Sequence, residues 1–345
     1  MIYGDLSIMA FNHSIIIDNY CGWPNLTKLQ NGNLITTVFN KPSHLQQEGE
    51  IECFISKDEG ANWQYLSTPF HHKSREARAN CACGVTANGS FMVLCGGWNN
   101  RPEPGEPLYP CLNSNRLHAL LGRSTDNGKD FTVSELNFRL TDKQTGKEKV
   151  LHPYGNIVQA GSRLACAAYY CPDDLSFGNS YIIFSDDDGF SWSDYAIISE
   201  NNYTETFILF TNDHDGIALA REHSALRLDQ YTTNDGGRTW LFKDIVTGPY
   251  VHPGHLVMLA NNTMILTTGI RYINGYGIGA CISRDKGRNW GSLHVIVSFP
   301  EASDGGYPST VQLANGLLLT HYYSNKAPLH DRYFVGQVIW DAAIL

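Results

Sequence analysis

Five copies of one short turn motif constrain this sequence more than any other feature. The motif reads Ser/Thr-x-Asp-x-Gly-x-x-aromatic, and we call it the box motif. Its copies, given by their four fixed residues, are Ser56/Asp58/Gly60/Trp63, Ser124/Asp126/Gly128/Phe131, Ser185/Asp187/Gly189/Trp192, Thr233/Asp235/Gly237/Trp240 and Ser283/Asp285/Gly287/Trp290. The aspartate can accept the N–H groups of a tight turn, the glycine permits a positive φ, and the hydroxyl closes the turn. Repetition of such a unit along a chain is typical of propellers and other repeat folds.

A second hairpin signal lies upstream of each box and occurs once more after the last box. These turns fall at Asn31-Gly32, Asn88-Gly89, Gly161-Ser162, Asp215-Gly216, Asn261-Asn262 and Asn315-Gly316. Apolar, strand-like residues flank them, as expected for hairpins. Six such units predict an all-β, six-bladed β-propeller that occupies residues 1–345 as one domain. Residues 14–17 are left over, and pairing them beside the 333–340 strand would close the ring and remove an exposed edge.

The net charge and the cysteine content limit the kinds of binding partner and the cellular compartment that we expect. The formal net charge is −9 and no run of Lys or Arg occurs, which argues against a nucleic acid or an anionic membrane as partner. The first twenty residues lack the basic start and apolar stretch of a secretory signal. The nine cysteines have no regular spacing, so we expect reduced thiols and a cytoplasmic protein. No metal or cofactor motif is present.

The first strand of each propeller blade lines the central channel, so the starts of the six first strands should converge. These starts are Trp23-Pro24, Arg78-Ala79-Asn80, His152-Pro153-Tyr154, Thr204-Glu205-Thr206, His252-Pro253-Gly254-His255 and Gly306-Tyr307-Pro308. Such a ring is more polar than channel packing requires. It therefore predicts a ligand site at this end of the channel.

The boxes and units cover nearly the whole chain, and they resemble the Asp-box repeats of the sialidase superfamily. The resemblance implies a tyrosine nucleophile paired with a glutamate, an acid/base aspartate and three arginines that bind the substrate carboxylate. Tyr307 matches the nucleophile, Glu205 its partner, and Arg221 and Arg271 two of the arginines. A neutral phenol approaches an anionic sugar more easily than a carboxylate would, and guanidinium groups bind carboxylates through paired hydrogen bonds.

The first blade departs from the family pattern. Trp23 stands where the first arginine is expected, so Arg78, or else Arg75 or Arg116, would have to take that place. We expect the Trp23 ring to serve as a platform for stacking a sugar, with His152, Tyr154 and His255 as further substrate contacts.

The acid/base aspartate should lie in the loop before the first box, yet residues 42–52 contain no aspartate. Three glutamates, Glu48, Glu50 and Glu52, are present instead. A glutamate can protonate a leaving oxygen equally well, and we expect Glu50 to do so.

These residues predict a sialidase-like glycoside hydrolase that cleaves a terminal acidic sugar, sialic acid or a related sugar, from a carbohydrate. Two alternatives stay open. A polysaccharide lyase or another glycosidase would use His152 or His255 with Tyr154 on the same face. A propeller that binds glycans without catalysis would keep the scaffold alone.

Overall fold

The structure, a computed structural model, describes residues 13–99, 115–142, 146–172 and 178–345. Within these residues nearly all regular structure is β-strand, and one short 3-10 turn, Ala342–Ile344, follows the last strand. No helix in the described ranges has the length and apolarity needed to cross a membrane.

Six four-stranded antiparallel units follow one another along the chain, and we call them blades 1 to 6. The strands of blades 1 and 2 are Cys21–Lys28, Leu34–Phe39, Ile51–Ser56 and Gln64–Ser67, then Cys81–Val85, Phe91–Cys95, Leu120–Ser124 and Thr132–Glu135. Those of blades 3 and 4 are His152–Ala160, Arg163–Tyr169, Ser180–Ser185 and Asp194–Ser199, then Tyr203–Phe210, Gly216–Glu222, Arg227–Thr233 and Leu241–Ile245. Those of blades 5 and 6 are Val251–Met258, Met264–Tyr272, Gly275–Ser283 and His294–Ser298, then Gly305–Gln312, Leu318–Ser324, Phe334–Trp340 and His13–Asp18.

The first strand of each blade contacts the first strands of the two neighbouring blades, and blade 6 returns to blade 1. The chain is therefore a six-bladed β-propeller, as the repeats predict. Blades 2 and 3 are joined into one sheet, because their first strands pair in parallel at Ala82↔Gly155 and Cys83↔Asn156. Gly84 permits this approach, since a Cβ there would lie 2.3 Å from the carbonyl oxygen of Ile157.

Smaller strands lie between blades. Glu76–Ala77, Trp98–Asn99 and Asn115–Arg116 form a three-stranded sheet, and Leu140–Thr141 pairs with Glu148–Lys149.

The N-terminal strand closes the ring as predicted. His13–Asp18 runs antiparallel to Phe334–Trp340, with His13 opposite Val338 and Asp18 opposite Phe334. Ile17 is buried against Val335 and against Val38 of blade 1, so the closing strand also packs on the neighbouring blade.

The box motifs form the hairpins between the third and fourth strands and show the predicted hydrogen bonds. In the first copy the Ser56 hydroxyl accepts from the Gly60 N–H at 2.8 Å and donates to the Asp58 carboxylate at 2.8 Å. The other four boxes repeat both bonds, and all five glycines have φ between 76° and 90°.

Strand register places the boxes on one face of the ring. In blade 1 the box residue Ser56 is level with Lys28, the last residue of the first strand, whereas Cys21 begins that strand. The boxes therefore lie on the face opposite the strand starts.

Candidate active site

Irregular pairing at the strand starts turns side chains toward the mouth of the channel. Five of the six first strands shift register close to their first residues, within Cys21–Asn25, Tyr154–Ile157, Tyr203–Thr206, Val251–Gly254 and Gly306–Ser309. Such β-bulges bend a strand and re-aim its side chains, and they are common beside active sites. Trp23 and Tyr307 have φ of 52° and 53°, a left-handed conformation that non-glycine residues seldom adopt. Both line a central cavity together with Asn80, Tyr154 and His255.

Tyr307, Glu205 and Arg221 meet in this region, although they come from blades 6 and 4. The Tyr307 hydroxyl donates to Glu205 Oε1 at 2.6 Å. Arg221 Nη1 lies 2.5 Å from Glu205 Oε2 and 3.1 Å from the Tyr307 oxygen. A single glutamate thus accepts from the phenol through one oxygen and from the guanidinium through the other.

Burial and the ion pair with Arg221 determine the charge states of Glu205 and Tyr307. Burial favours the neutral form of Glu205, but Arg221 and the Tyr307 hydroxyl outweigh it and lower the pKa of the carboxyl. Burial, followed by the charge of Glu205, raises the pKa of Tyr307. The proton therefore resides on the phenol and the charge on the glutamate, which is the arrangement required before nucleophilic attack by tyrosine.

Arg271 lies over the ring of Tyr307. Its Cζ is 5.7 Å from the ring centroid, and its Nη2 donates to Asp304 Oδ1 at 3.2 Å. Arg221 Nε and Arg271 Nη1 are buried and have no hydrogen-bond partner among the described residues. Buried N–H groups are rarely left unsatisfied, so these two suit an acceptor supplied by a ligand.

Aromatic rings surround Tyr307. Trp23 meets it nearly perpendicularly at 6.2 Å between centroids, Tyr154 at 6.4 Å, and Tyr323 is tilted at 5.8 Å. Trp23 is 5% exposed, so most of its surface packs within this cluster, which limits the face that could stack on a sugar.

Glu50, the acid/base expected from the sequence, is held by neighbouring histidines. Glu50 Oε2 accepts from the backbone N–H of His72 at 2.7 Å and lies 2.7 Å from His72 Nδ1. His71 approaches the other oxygen at 3.4 Å. No described contact joins Glu50 to Tyr307, Glu205 or Arg221.

Arg78 and His152 contact residues other than Tyr307. The Arg78 guanidinium donates to Glu76 at 3.3 Å and to the His118 carbonyl oxygen at 2.8 Å. The His152 ring is buried between Trp98, stacked at 4.5 Å, and Tyr169, stacked at 5.4 Å. Burial lowers the pKa of His152 to about 3, so this imidazole is a weak base.

Two further histidines belong to the strand start of blade 5. His255 contacts Phe207 at 4.2 Å between ring centroids, and burial lowers its pKa to about 3. His252 is buried, and burial followed by the charges of Arg221 and Arg271 lowers its pKa to about 2. Both imidazoles are therefore neutral, and that of His252 lies within the field of Arg221 and Arg271.

Asp304 and His44 adjoin the candidate site, and sequence reasoning missed both. The Asp304 carboxylate accepts from Arg271, Tyr323, Tyr333 and His44, at distances of 2.9 to 3.2 Å. The signal available in the sequence was the position of Asp304 three residues before Tyr307. Its partner His44 is 260 residues away, and no motif joins them.

No disulfide joins the cysteines among the described residues, and one cluster there combines residue types that can bind metals. The eight described cysteines are free thiols, and Cys111 lies outside the described residues. Among the described residues, Cys21, His44 and Asp304 form the one group of ligand types within 4.8 Å of one another. Since Asp304 already pairs with the Arg271 cation, this group is poorly suited to a metal ion.

Known proteins bear out the fold. The BNR repeat-like domain model matches residues 72–320. A Dyadobacter fermentans protein of unknown function has a TM-score of 0.79 at 20% identity, with 95% of this chain and 98% of that chain covered. The Hadza microbial sialidase Hz136 has a TM-score of 0.71 at 17% identity, with coverage of 94% and 66% respectively.

The NanB sialidase of Streptococcus pneumoniae has a TM-score of 0.69 at 12% identity, with 96% of this chain and 70% of that chain covered. No curated protein matches the chain in sequence. The family match covers well over half of the residues, and the repeats and topology agree with it. The chain belongs to the BNR repeat-like family, and its fold is that of the sialidase propellers.

Proposed function

We propose that this protein is a retaining glycoside hydrolase that removes a terminal sugar bearing a carboxylate, sialic acid or a related acidic sugar. The observation that carries the proposal is the 2.6 Å hydrogen bond from the Tyr307 hydroxyl to an ionised Glu205. A buried carboxylate paired with an arginine would serve packing alone poorly, since apolar residues do as well without the desolvation cost.

The unpartnered N–H groups of Arg221 and Arg271 support an anionic substrate. Both guanidinium groups border the Tyr307 ring or hydroxyl, so a carboxylate bound to them would lie beside the nucleophile. With Trp23 in place of a third arginine, the site has two guanidinium groups for this carboxylate. The proposal therefore covers sialic acid and other terminal sugars that carry a carboxylate.

In the first step the Tyr307 oxygen would bond to the anomeric carbon as the bond from that carbon to the leaving-group oxygen breaks, and the phenol proton would pass to Glu205 Oε1. The leaving group departs as an alcohol or, when it is stable as an anion, as the anion. Arg221 stays within reach of both oxygens and offsets the negative charge that the phenol develops. Water would then cleave the tyrosyl bond, and Glu205 would return the proton to Tyr307. Two displacements at one carbon give net retention of configuration.

The test is a panel of 4-nitrophenyl glycosides of N-acetylneuraminic acid, glucuronic acid and neutral sugars, with mass-spectrometric detection of products. We expect hydrolysis that releases the acidic sugar. NMR should show that the anomer with retained configuration forms first. A product with a new double bond would indicate a lyase. Binding of acidic glycans without turnover would indicate the non-catalytic alternative.

A further inference from the structure

A histidine occupies the loop in which the acid/base residue of the reaction was sought. His44 lies between the second and third strands of blade 1, and its side chain is 42% exposed. Its ring meets Trp23 nearly perpendicularly at 4.9 Å, and Trp23 in turn meets Tyr307 at 6.2 Å. His44 therefore packs on the same aromatic cluster that surrounds Tyr307, the proposed nucleophile.

Asp304 fixes the orientation of this histidine. Asp304 Oδ2 lies 2.9 Å from His44 Nδ1 and also accepts from the Tyr333 hydroxyl at 2.9 Å. The other oxygen is held by Arg271 and by Tyr323, so the carboxylate cannot turn freely. Although burial opposes ionisation, these partners, His44 first, lower the pKa of Asp304 to about 2.

The second nitrogen of His44 is available for chemistry. His44 Nε2 has no hydrogen-bond partner in the described part of the chain, whereas both oxygens of Glu50 are engaged by His71 and His72. A carboxylate that binds one imidazole nitrogen sets the tautomer and stabilises the imidazolium form, which leaves the other nitrogen to donate or accept a proton.

We propose that His44, oriented by Asp304, is the general acid and base of the glycosidic reaction. This inference rests on the proposed function. In the first step the bond from the anomeric carbon to the leaving oxygen breaks, and the proton on His44 Nε2 passes to that oxygen, so the leaving group departs as an alcohol. Neutral Nε2 then accepts a proton from water as the water oxygen bonds to the anomeric carbon and the bond to Tyr307 breaks.

The dependence of rate on the leaving group tests this role. Protonation matters for a methyl glycoside but little for a 4-nitrophenyl glycoside, whose leaving group is stable as an anion. The His44→Gln variant keeps a donor for Asp304 but cannot shuttle a proton. We expect kcat/KM for methyl glycosides of N-acetylneuraminic or glucuronic acid to fall by about 10²- to 10⁴-fold. For the 4-nitrophenyl glycosides of the same sugars we expect a loss below about tenfold.

Azide gives a second readout, because it attacks the anomeric carbon without a general base. With the 4-nitrophenyl glycoside, azide should restore turnover of His44→Gln and yield a glycosyl azide of retained configuration. His330→Gln is the matched control, since His330 lies 3.0 Å from Asp18 in another histidine–aspartate pair, in blade 6. This control should leave both substrates and the azide response unchanged.

Three results would overturn the inference while the proposed function stands. These are equal losses on both substrates, no loss on either, and a leaving-group effect in Glu50→Gln instead of His44→Gln. If the wild-type protein cleaves neither glycoside pair, the proposed function and this inference fail together.

Discussion

The two faces of the propeller are built from the same six blades but differ in regularity. On one face, five boxes repeat the same two hydrogen bonds with nearly the same glycine φ. On the other face, the six strand starts carry six different sequences, and most of them are bulged. Repetition therefore specifies the scaffold, whereas divergence at equivalent positions assembles the site. Substitutions on the two faces should accordingly separate activity from stability.

The largest effect is expected at the phenol. Tyr307→Phe should lower kcat/KM by at least about 10³-fold, because the nucleophilic oxygen is lost. Glu205 keeps its bond to Arg221 in this variant, so the free energy of unfolding should fall by only about 1 kcal/mol. Steady-state rates on the substrate found and denaturant unfolding would check both values. Near wild-type activity in Tyr307→Phe would remove the tyrosine mechanism.

Glu205→Gln should damage both activity and stability. The Arg221 guanidinium is buried and would lose its counter-charge, which typically costs about 3–5 kcal/mol. Loss of the proton acceptor should also lower kcat/KM by about 10²- to 10⁴-fold. The double variant Glu205→Gln/Arg221→Gln should recover part of the stability but none of the activity. A single variant as stable as the wild type would mean that the pair is more hydrated than its burial indicates.

Acid should weaken the ligand face through Asp304. The pKa of this carboxyl is about 2 when folded, below its ordinary value of 3.8, so its contribution to stability is full above pH 4 and disappears as pH falls toward 2. The shift corresponds to about 2 kcal/mol. The free energy of unfolding of Asp304→Asn should therefore depend less steeply on pH between 4 and 2 than that of the wild type. Equal slopes in urea titrations across this range would contradict the assignment.

The smallest effects are expected in the boxes. Asp235→Ala removes the acceptor of two backbone N–H groups and two hydroxyls in an exposed turn, and it should cost about 1 kcal/mol without changing kcat. Asp285→Ala in the next blade should do the same. The double variant should be additive within about 0.5 kcal/mol, because each turn is held by its own residues. A change in kcat would show that the two faces are coupled.

The scaffold could be predicted from the sequence because the contacts that define it join residues close together in the chain. The bonds from Ser56 to Gly60 and Asp58 span two to four residues, and every box repeats them. The closing strand was also predictable, since an unpaired last blade would leave an exposed edge. The parallel join of blades 2 and 3 was not, because it depends on how closely Gly84 approaches Ile157 in space.

The candidate site was readable where a family motif marks it. The resemblance pointed to Tyr307 and Glu205, and the structure brings these residues into hydrogen-bond contact. Their catalytic roles stay predictions. Asp304 and His44 were missed because their pairing spans most of the chain, and Glu50 was favoured by composition although His71 and His72 engage its oxygens.

The closing strand has a consequence for how the protein is made. During synthesis His13–Asp18 leaves the ribosome before the other described strands of the propeller, yet its partner strand, Phe334–Trp340, is the last of them to be made. Domains usually begin to fold while the chain is still growing, so the early blades must persist as an open arc with unsatisfied edges. Tyr307 and Glu205 belong to blades 6 and 4, and Trp23 to blade 1. No nascent intermediate can therefore hold the whole site, and catalytic competence should arise in the same late event that joins the two ends of the arc.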